Sequence, residues 1–140
     1  MIMDNLQALL IEHEDLKTKP YRDSRGFLTI GVGRNLDANG ITRAEALYML
    51  ENDISKCKAQ LYPFTWFKNL NIVRQEVMIE LCFNMGLDSL LKFQHMIGFL
   101  IAKEWQNAAN ALMDSEWSKE VSKDRSSNIV DRLIKGYYAD

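Results

Sequence analysis

Cysteine is scarce in this chain. Cys57 and Cys82 are the only two among 140 residues, too few for a disulfide framework. Both sit in helix-like stretches among apolar neighbours, so reduced core thiols are expected, in keeping with synthesis in the cytoplasm. Long apolar runs are missing too. The longest, "MIGFLIA" (Met96–Ala102), falls far short of the roughly 20 residues a membrane span needs, which argues against membrane insertion. The opening "MIMDNLQALLIEHED" has no basic stretch leading an apolar one, so neither a secretory signal nor an anchor is expected. The net charge is −2, which supplies no general attraction for nucleic acid. "GITRAEALYML" (Gly40–Leu50) suggests a DNA-reading helix-turn-helix, but no basic recognition face accompanies it. No repeat, low-complexity tract, Gly/Ser linker, Ser-His-Asp set, metal-spaced cluster or phosphate loop stands out.

What is present reads as one domain, residues 1–140, of α+β class and mainly helical. Leu6, Leu9, Leu10 and His13 keep helical spacing on one face and predict a helix over 4–14, capped by Asp4 or Asn5. The pattern ends before Pro20, which disfavours helical angles at Lys19. The period then becomes two, with Phe27, Thr29 and Gly31 on one side and Leu28, Ile30 and Val32 on the other. With turn signals at "DSRG" (Asp23–Gly26) and "DANG" (Asp37–Gly40), this predicts a hairpin or three-stranded sheet near 21–38. "TRAE" (Thr42–Glu45) is a capping box opening a helix to about Leu61, which Pro63 stops. Val73, Val77, Leu81 and Met85 mark another helix, with Gly86 as its C-cap. Phe93–Ala102, Trp105–Met113 and Asn128–Lys135 supply more. The expected plan is a small β lobe (about 15–60) and a larger helical lobe (about 64–140) that includes the helix 4–14, with substrate between them.

Glu14 ends the first helix, Asp23 precedes a tight turn, and Thr29 lies on the hairpin. If Leu28, Ile30 and Val32 pack inward, Thr29 faces the open side, and Gly31 lets a ligand approach the backbone. Two carboxylates on opposite walls suit glycoside hydrolysis, one protonating the leaving oxygen and the other acting on water or the sugar cation. Taken alone, the two acids read more simply as exposed surface carboxylates. Around them, Lys17, Lys19, Arg22, Arg25 and Arg34 outnumber Asp15 and Asp23. That excess suits an anionic polymer, although a solvated surface is the simpler reading.

The run "EDLKTKPYRDSRGFLTIGVGR" resembles, in order and without gaps, the signature of the phage-type lysozymes, glycoside hydrolase family 24. "NMG" (Asn84–Gly86), "WQNAA" (Trp105–Ala109), "SEW" (Ser115–Trp117) and "RSSNIVDRLIKG" (Arg125–Gly136) extend the resemblance over nearly the whole chain. It implies a lysozyme-like two-lobe fold and a cofactor-free, monomeric muramidase. The substrate would be the glycan strands of bacterial peptidoglycan, at the β-1,4 bond between N-acetylmuramic acid and N-acetylglucosamine. Carried over by position, Glu14 matches the general acid, Asp23 the second carboxylate, and Thr29 the threonine that helps hold the attacking water. Inversion is the usual outcome in the family. Arg125 matches an arginine that pairs with the catalytic Glu, with Lys123 as the alternative because of one extra residue after Trp117. Phe83 and Asn84 match a helix end along the cleft. The other large aromatics read as core.

Two departures stand out. Many members carry His where this chain has Arg34, and an arginine that stays charged cannot relay protons. An ion pair or a substrate contact is expected there instead. The segment from Arg34 to Asn84 is also shorter than in the best-known members, so the small lobe should be more compact. "NLDANG" (Asn35–Gly40) suggests a calcium loop, but it lacks the first Asp, and Ala46 falls where a bidentate Glu belongs, so it is read as a turn and no metal is expected. The resemblance further implies a phage or prophage endolysin, made in the host cytoplasm and released by a holin-type pore to act in the periplasm. The alternative is a non-catalytic peptidoglycan-binding module or a lysis domain carried on a phage particle.

Overall fold

The structure is a computed structural model that describes residues 3–138. The chain divides into two compact units, Met1–Met49 and Leu50–Asp140. The helix expected at 4–14 falls in the first of these.

The first unit opens with α1 (Asn5–Glu14), capped by Asp4. Gln7 N–H donates to Asp4 Oδ1 at 2.7 Å, and Asp4 N–H donates to Gln7 Oε1 at 3.0 Å. This reciprocal box satisfies two backbone donors at the helix start and settles the choice between Asp4 and Asn5. The helix stops at Asp15, well before Pro20. Asp15 adopts φ 69°, its N–H still bonds Ile11 O at 2.8 Å, and its side chain accepts from Leu16 N–H. With ψ at 166° this is a strained backbone position for a residue with a side chain, and the local bond from Leu16 N–H to the Asp15 carboxylate helps hold it. The carboxyl of Asp15 is held below its usual value by that Leu16 N–H and then by Lys17.

The helix ends at Glu14 as expected, and the sheet begins at Lys17, ahead of the expected 21. β1 (Lys17–Arg22), β2 (Leu28–Gly31) and β3 (Arg34–Asn35) form a three-stranded antiparallel sheet in the order β1-β2-β3. Tyr21 pairs with Thr29 and Thr29 with Asn35. The register slips between Lys17 and Tyr21, where Pro20 lies. A bulge on an edge strand is where a residue without an N–H is tolerated. A short α2 (Leu36–Asn39) follows, capped by Asn35. Asp37 of that turn accepts from Leu28 N–H at 2.8 Å and ties the turn to the sheet.

The apolar stripe expected on α1 is present by spacing but not buried: Leu6, Leu9 and Leu10 are all exposed. Among the described residues of this unit, Thr29 is the only buried one.

α3 (Arg43–Leu61) begins with the expected capping box, in which Thr42 N–H donates to Glu45 Oε1 and Glu45 N–H to Thr42 Oγ1. Beyond α3, whose residues 43–49 fall in the first unit, the second unit comprises α4 (Thr65–Lys68), α5 (Ile72–Met85), α6 (Leu87–Leu91), α7 (Gln94–Ile101), α8 (Trp105–Met113), α9 (Trp117–Glu120) and α10 (Lys123–Lys135). Gly86, at φ 85°, ends α5 as expected. α10 starts earlier than expected because Ser122 caps it by accepting from Arg125 N–H.

The hydrophobic core lies within this second unit. Val77, Leu81, Leu90, Leu112 and Leu133 have no exposed surface, and Trp66, Phe93 and Trp105 pack against them. Leu81→Ala is expected to cost about 3 kcal/mol, from lost transfer energy and the cavity left behind. Urea unfolding followed by circular dichroism checks this.

One buried charge organises the helix ends. Arg74 on α5 donates from Nε to Leu133 O and from Nη2 to Ile134 O, each at 2.8 Å. Its guanidinium carbon lies 3.8 Å from the centre of the Trp105 ring. Burial pushes the Arg74 pKa down, since the charged form loses water.

Candidate active site

Glu14 is the last residue of α1 and is exposed. Its carboxylate lies against the backbone of Gly33, where a Cβ would come within 2.7 Å of Oε2. Gly33 therefore serves two needs: a φ of +67° and room for this carboxylate. Met3, Gln7, Leu10, Ile11 and Val32 join Glu14 around a recess of about 330 Å³. Glu14 is thus the one carboxylate of a largely apolar hollow.

Asp23 builds the turn it precedes. Its Oδ1 accepts from the N–H groups of Arg25 and Phe27, both at 2.9 Å, while its own N–H donates to Phe27 O. Gly26 supplies the φ of +85° that the turn requires. Among the described residues Oδ2 has no hydrogen-bond partner, so one oxygen is structural and the other is open to a ligand or water.

Thr29 lies differently from the expectation. The alternation puts it on the open side with Leu28, Ile30 and Val32 inward, yet it is only 2% exposed, and Val32 is exposed. Thr29 sits at the centre of the middle strand, paired on both sides, and its Oγ1 donates to Phe27 O at 2.8 Å. Nothing lies within 4 Å of where a side chain at Gly31 would point. That leaves the backbone of β2 approachable at this position.

Arg34 forms an ion pair, one of the two roles expected for it. Its Nη1 and Nη2 bond both Glu45 oxygens at 2.9 and 2.8 Å, and Nη1 also reaches Gly40 O. The fork of the guanidinium matches a carboxylate, which a histidine could not do. Arg34, and then Thr42 N–H, pull the Glu45 carboxyl down to about 2 from an ordinary 4.5. A carboxyl whose pKa is depressed on folding stabilises the fold above its unfolded value and loses that contribution as pH falls. Arg34→Met should therefore melt at a lower temperature than wild type at pH 7. The gap should close between pH 4.5 and about 2, as read by melting curves across that range.

Of the remaining cations of this stretch, Lys17 pairs with Asp15 at 3.3 Å and Arg22 with Asp37 at 3.6 Å. Lys19 and Arg25 are exposed, as the solvated-surface reading has it.

The other candidates lie in the second unit. Phe83 is exposed and Arg125 half-buried, and both line a cavity of about 640 Å³ with Ile79, Glu80, Arg132 and Tyr138. The resemblance implies a pairing of Arg125 with Glu14; the carboxylate that Arg125 meets within its own unit is Glu80, at 3.2 Å. Glu80 also binds Arg132, which is buried and braced by Asn128. Glu80 carried no signal in the sequence, because its two arginines are 45 and 52 residues away. Asn84 is engaged elsewhere: its Oδ1 accepts from Trp117 Nε1 at 3.0 Å. Lys123, the alternative to Arg125, is exposed at the first position of α10. Among the described residues no cluster of three or more His, Cys, Asp or Glu is placed to hold a metal, and no helix is long and apolar enough to cross a membrane.

A mainly helical α+β chain with these carboxylates around a small antiparallel sheet has the character of a lysozyme. The phage lysozyme family model matches residues 11–134, and the chain belongs to that family. It is accordingly a glycoside hydrolase of the lysozyme kind. It is 24% identical to probable T4-type lysozyme 1 of Dictyostelium discoideum over 96% of each chain, and 24% identical to probable T4-type lysozyme 2 of the same organism over 92% of this chain and 93% of the relative. It is also 25% identical to the pre-baseplate central spike protein Gp5 of Enterobacteria phage T4, with 94% of this chain matching 28% of that protein.

Proposed function

We propose that this chain hydrolyses the β-1,4 bond between N-acetylmuramic acid and N-acetylglucosamine in bacterial peptidoglycan. Glu14 is the general acid and protonates the glycosidic oxygen as the C1–O bond breaks. Asp23, through its open Oδ2, takes a proton from the water that attacks C1 from the opposite face. Thr29 already donates to Phe27 O, so its oxygen can only accept; a water lodged against it donates one proton there and turns its lone pair toward the sugar. The expected outcome is inversion, which needs carboxyl groups about 6.5–9.5 Å apart. The observation that carries this reading is the Glu14 carboxylate held against Gly33 in the unit that also presents Asp23 Oδ2. Gly31 gives a sugar chain access to β2. Phe83, Asn84 and Arg125 are further candidates for substrate contact or support.

In the cell the enzyme acts as a monomeric endolysin, without cofactor, nucleic acid or membrane insertion. It is made in the host cytoplasm and released by a holin-type pore to the wall in the periplasm. Mass spectrometry of the products of purified peptidoglycan tests the chemistry. Reducing N-acetylmuramic acid ends support hydrolysis; 1,6-anhydromuramic ends would assign a lytic transglycosylase instead.

The likeness to a phage spike protein over part of its length favours a second reading, a lysis domain carried on a phage particle. A lysozyme-like module that holds glycan without cutting it would show binding in a pull-down and no new reducing ends.

A further inference from the structure

Cys57 and Cys82 take no part in the hydrolytic chemistry, yet the fold brings them together. One lies on α3 and the other on α5, and both are buried. The Cys82 thiol donates to Gln60 Oε1 at 3.6 Å. Gln60 follows Cys57 by three positions and so shares its face of α3. Both cysteines line one solvent-open cavity of about 290 Å³, together with Asp53, Lys56 and Phe83. Burial, and then a hydrogen bond with the Cys57 thiol, push the Cys82 thiol up to about 12.

We infer that Cys57 and Cys82 are a redox pair that closes into a disulfide between α3 and α5 on reaction with a small disulfide such as glutathione disulfide. The Cys57 thiolate attacks one sulfur of the oxidant. The oxidant's S–S bond breaks, a mixed disulfide forms on Cys57, and one glutathione leaves as thiolate. Cys82 then loses its proton and attacks Cys57 Sγ. The Cys57–glutathione bond breaks and the second glutathione thiolate leaves. The two cysteines lose two electrons, glutathione disulfide gains them, and the two released protons go to the glutathione thiolates. Burial holds the Cys82 thiol in its protonated form, so the closing step speeds up as pH rises. Closure links residues 57 and 82 and restricts the unfolded chain, which raises the melting temperature.

The test uses the full chain, folded, incubated with glutathione disulfide or with dithiothreitol. Expected are an intact mass lower by two hydrogens, a cross-linked Cys57–Cys82 peptide, and a melting temperature several degrees higher that dithiothreitol reverses. Cys82→Ser should stop at a glutathione adduct on Cys57. A persistent adduct on wild type, a covalent dimer, or two unreacted thiols after prolonged incubation would each overturn the inference. No glycan assay enters, so this result stands or falls apart from the hydrolytic reading.

Discussion

Glu14→Gln is expected to slow the release of reducing ends from peptidoglycan by about a thousandfold, the scale of a lost general acid. That loss corresponds to about 4 kcal/mol of transition-state stabilisation. The melting curve should hardly move. Glu14 is exposed, and a Gln fills the same space against Gly33. What is removed is the acidic proton alone. Equal clearing of permeabilised Gram-negative cells by wild type and variant would show that Glu14 is not the acid. Asp23 needs two variants because it has two roles. Asp23→Asn keeps an oxygen for the Arg25 and Phe27 N–H groups, so it should fold normally and lose activity. Asp23→Ala also removes both turn bonds and should be less stable by about 1–2 kcal/mol.

The largest stability effect is expected at Arg74. Arg74→Met should cost about 4 kcal/mol: two charge-assisted bonds to carbonyls are lost, along with stacking on Trp105. The orphaned carbonyls of Leu133 and Ile134 stay near the end of α10, where the helix itself cannot satisfy them. Gly136→Ala should destabilise for a related reason. Gly136 holds φ +74°, and its added Cβ would lie 2.7 Å from Arg74 Nη1. Arg74→Lys should not preserve stability, because an ammonium lacks the planar fork that reaches two carbonyls while stacking on an indole. Thermal unfolding of the three variants checks the order, and an Arg74→Met variant as stable as wild type would remove Arg74 from this role.

Much of the local structure was legible in the sequence. The caps at Asp4, Thr42 and Gly86 depend on residues within three or four positions, and each formed as a short-range hydrogen-bond argument requires. α8 matches its apolar spacing end to end. The short helices α4, α6 and α9 were not legible, because about one turn is too short to display a period. The carboxylates of the candidate site were legible as residue types in order, Glu14 then Asp23, and a family likeness gave them expected roles.

Other features depended on partners far along the chain. Alternation divides β2 into two faces but does not say which is covered, and Thr29 rather than Val32 proved to be buried. The sequence allowed Arg34 an ion pair and left its partner unnamed; the fold supplied Glu45. Glu80 joins Arg125 and Arg132 across two helices, Arg74 closes the end of α10, and Cys57 meets Cys82, none of which any local pattern announces. By itself the sequence determined the helix ends that carry the caps at Asp4, Thr42 and Gly86, because a cap is settled by neighbours a few residues apart. Only the tertiary structure decided which face of each element is covered and which charges meet, because burial and ion pairing depend on what the rest of the chain brings alongside.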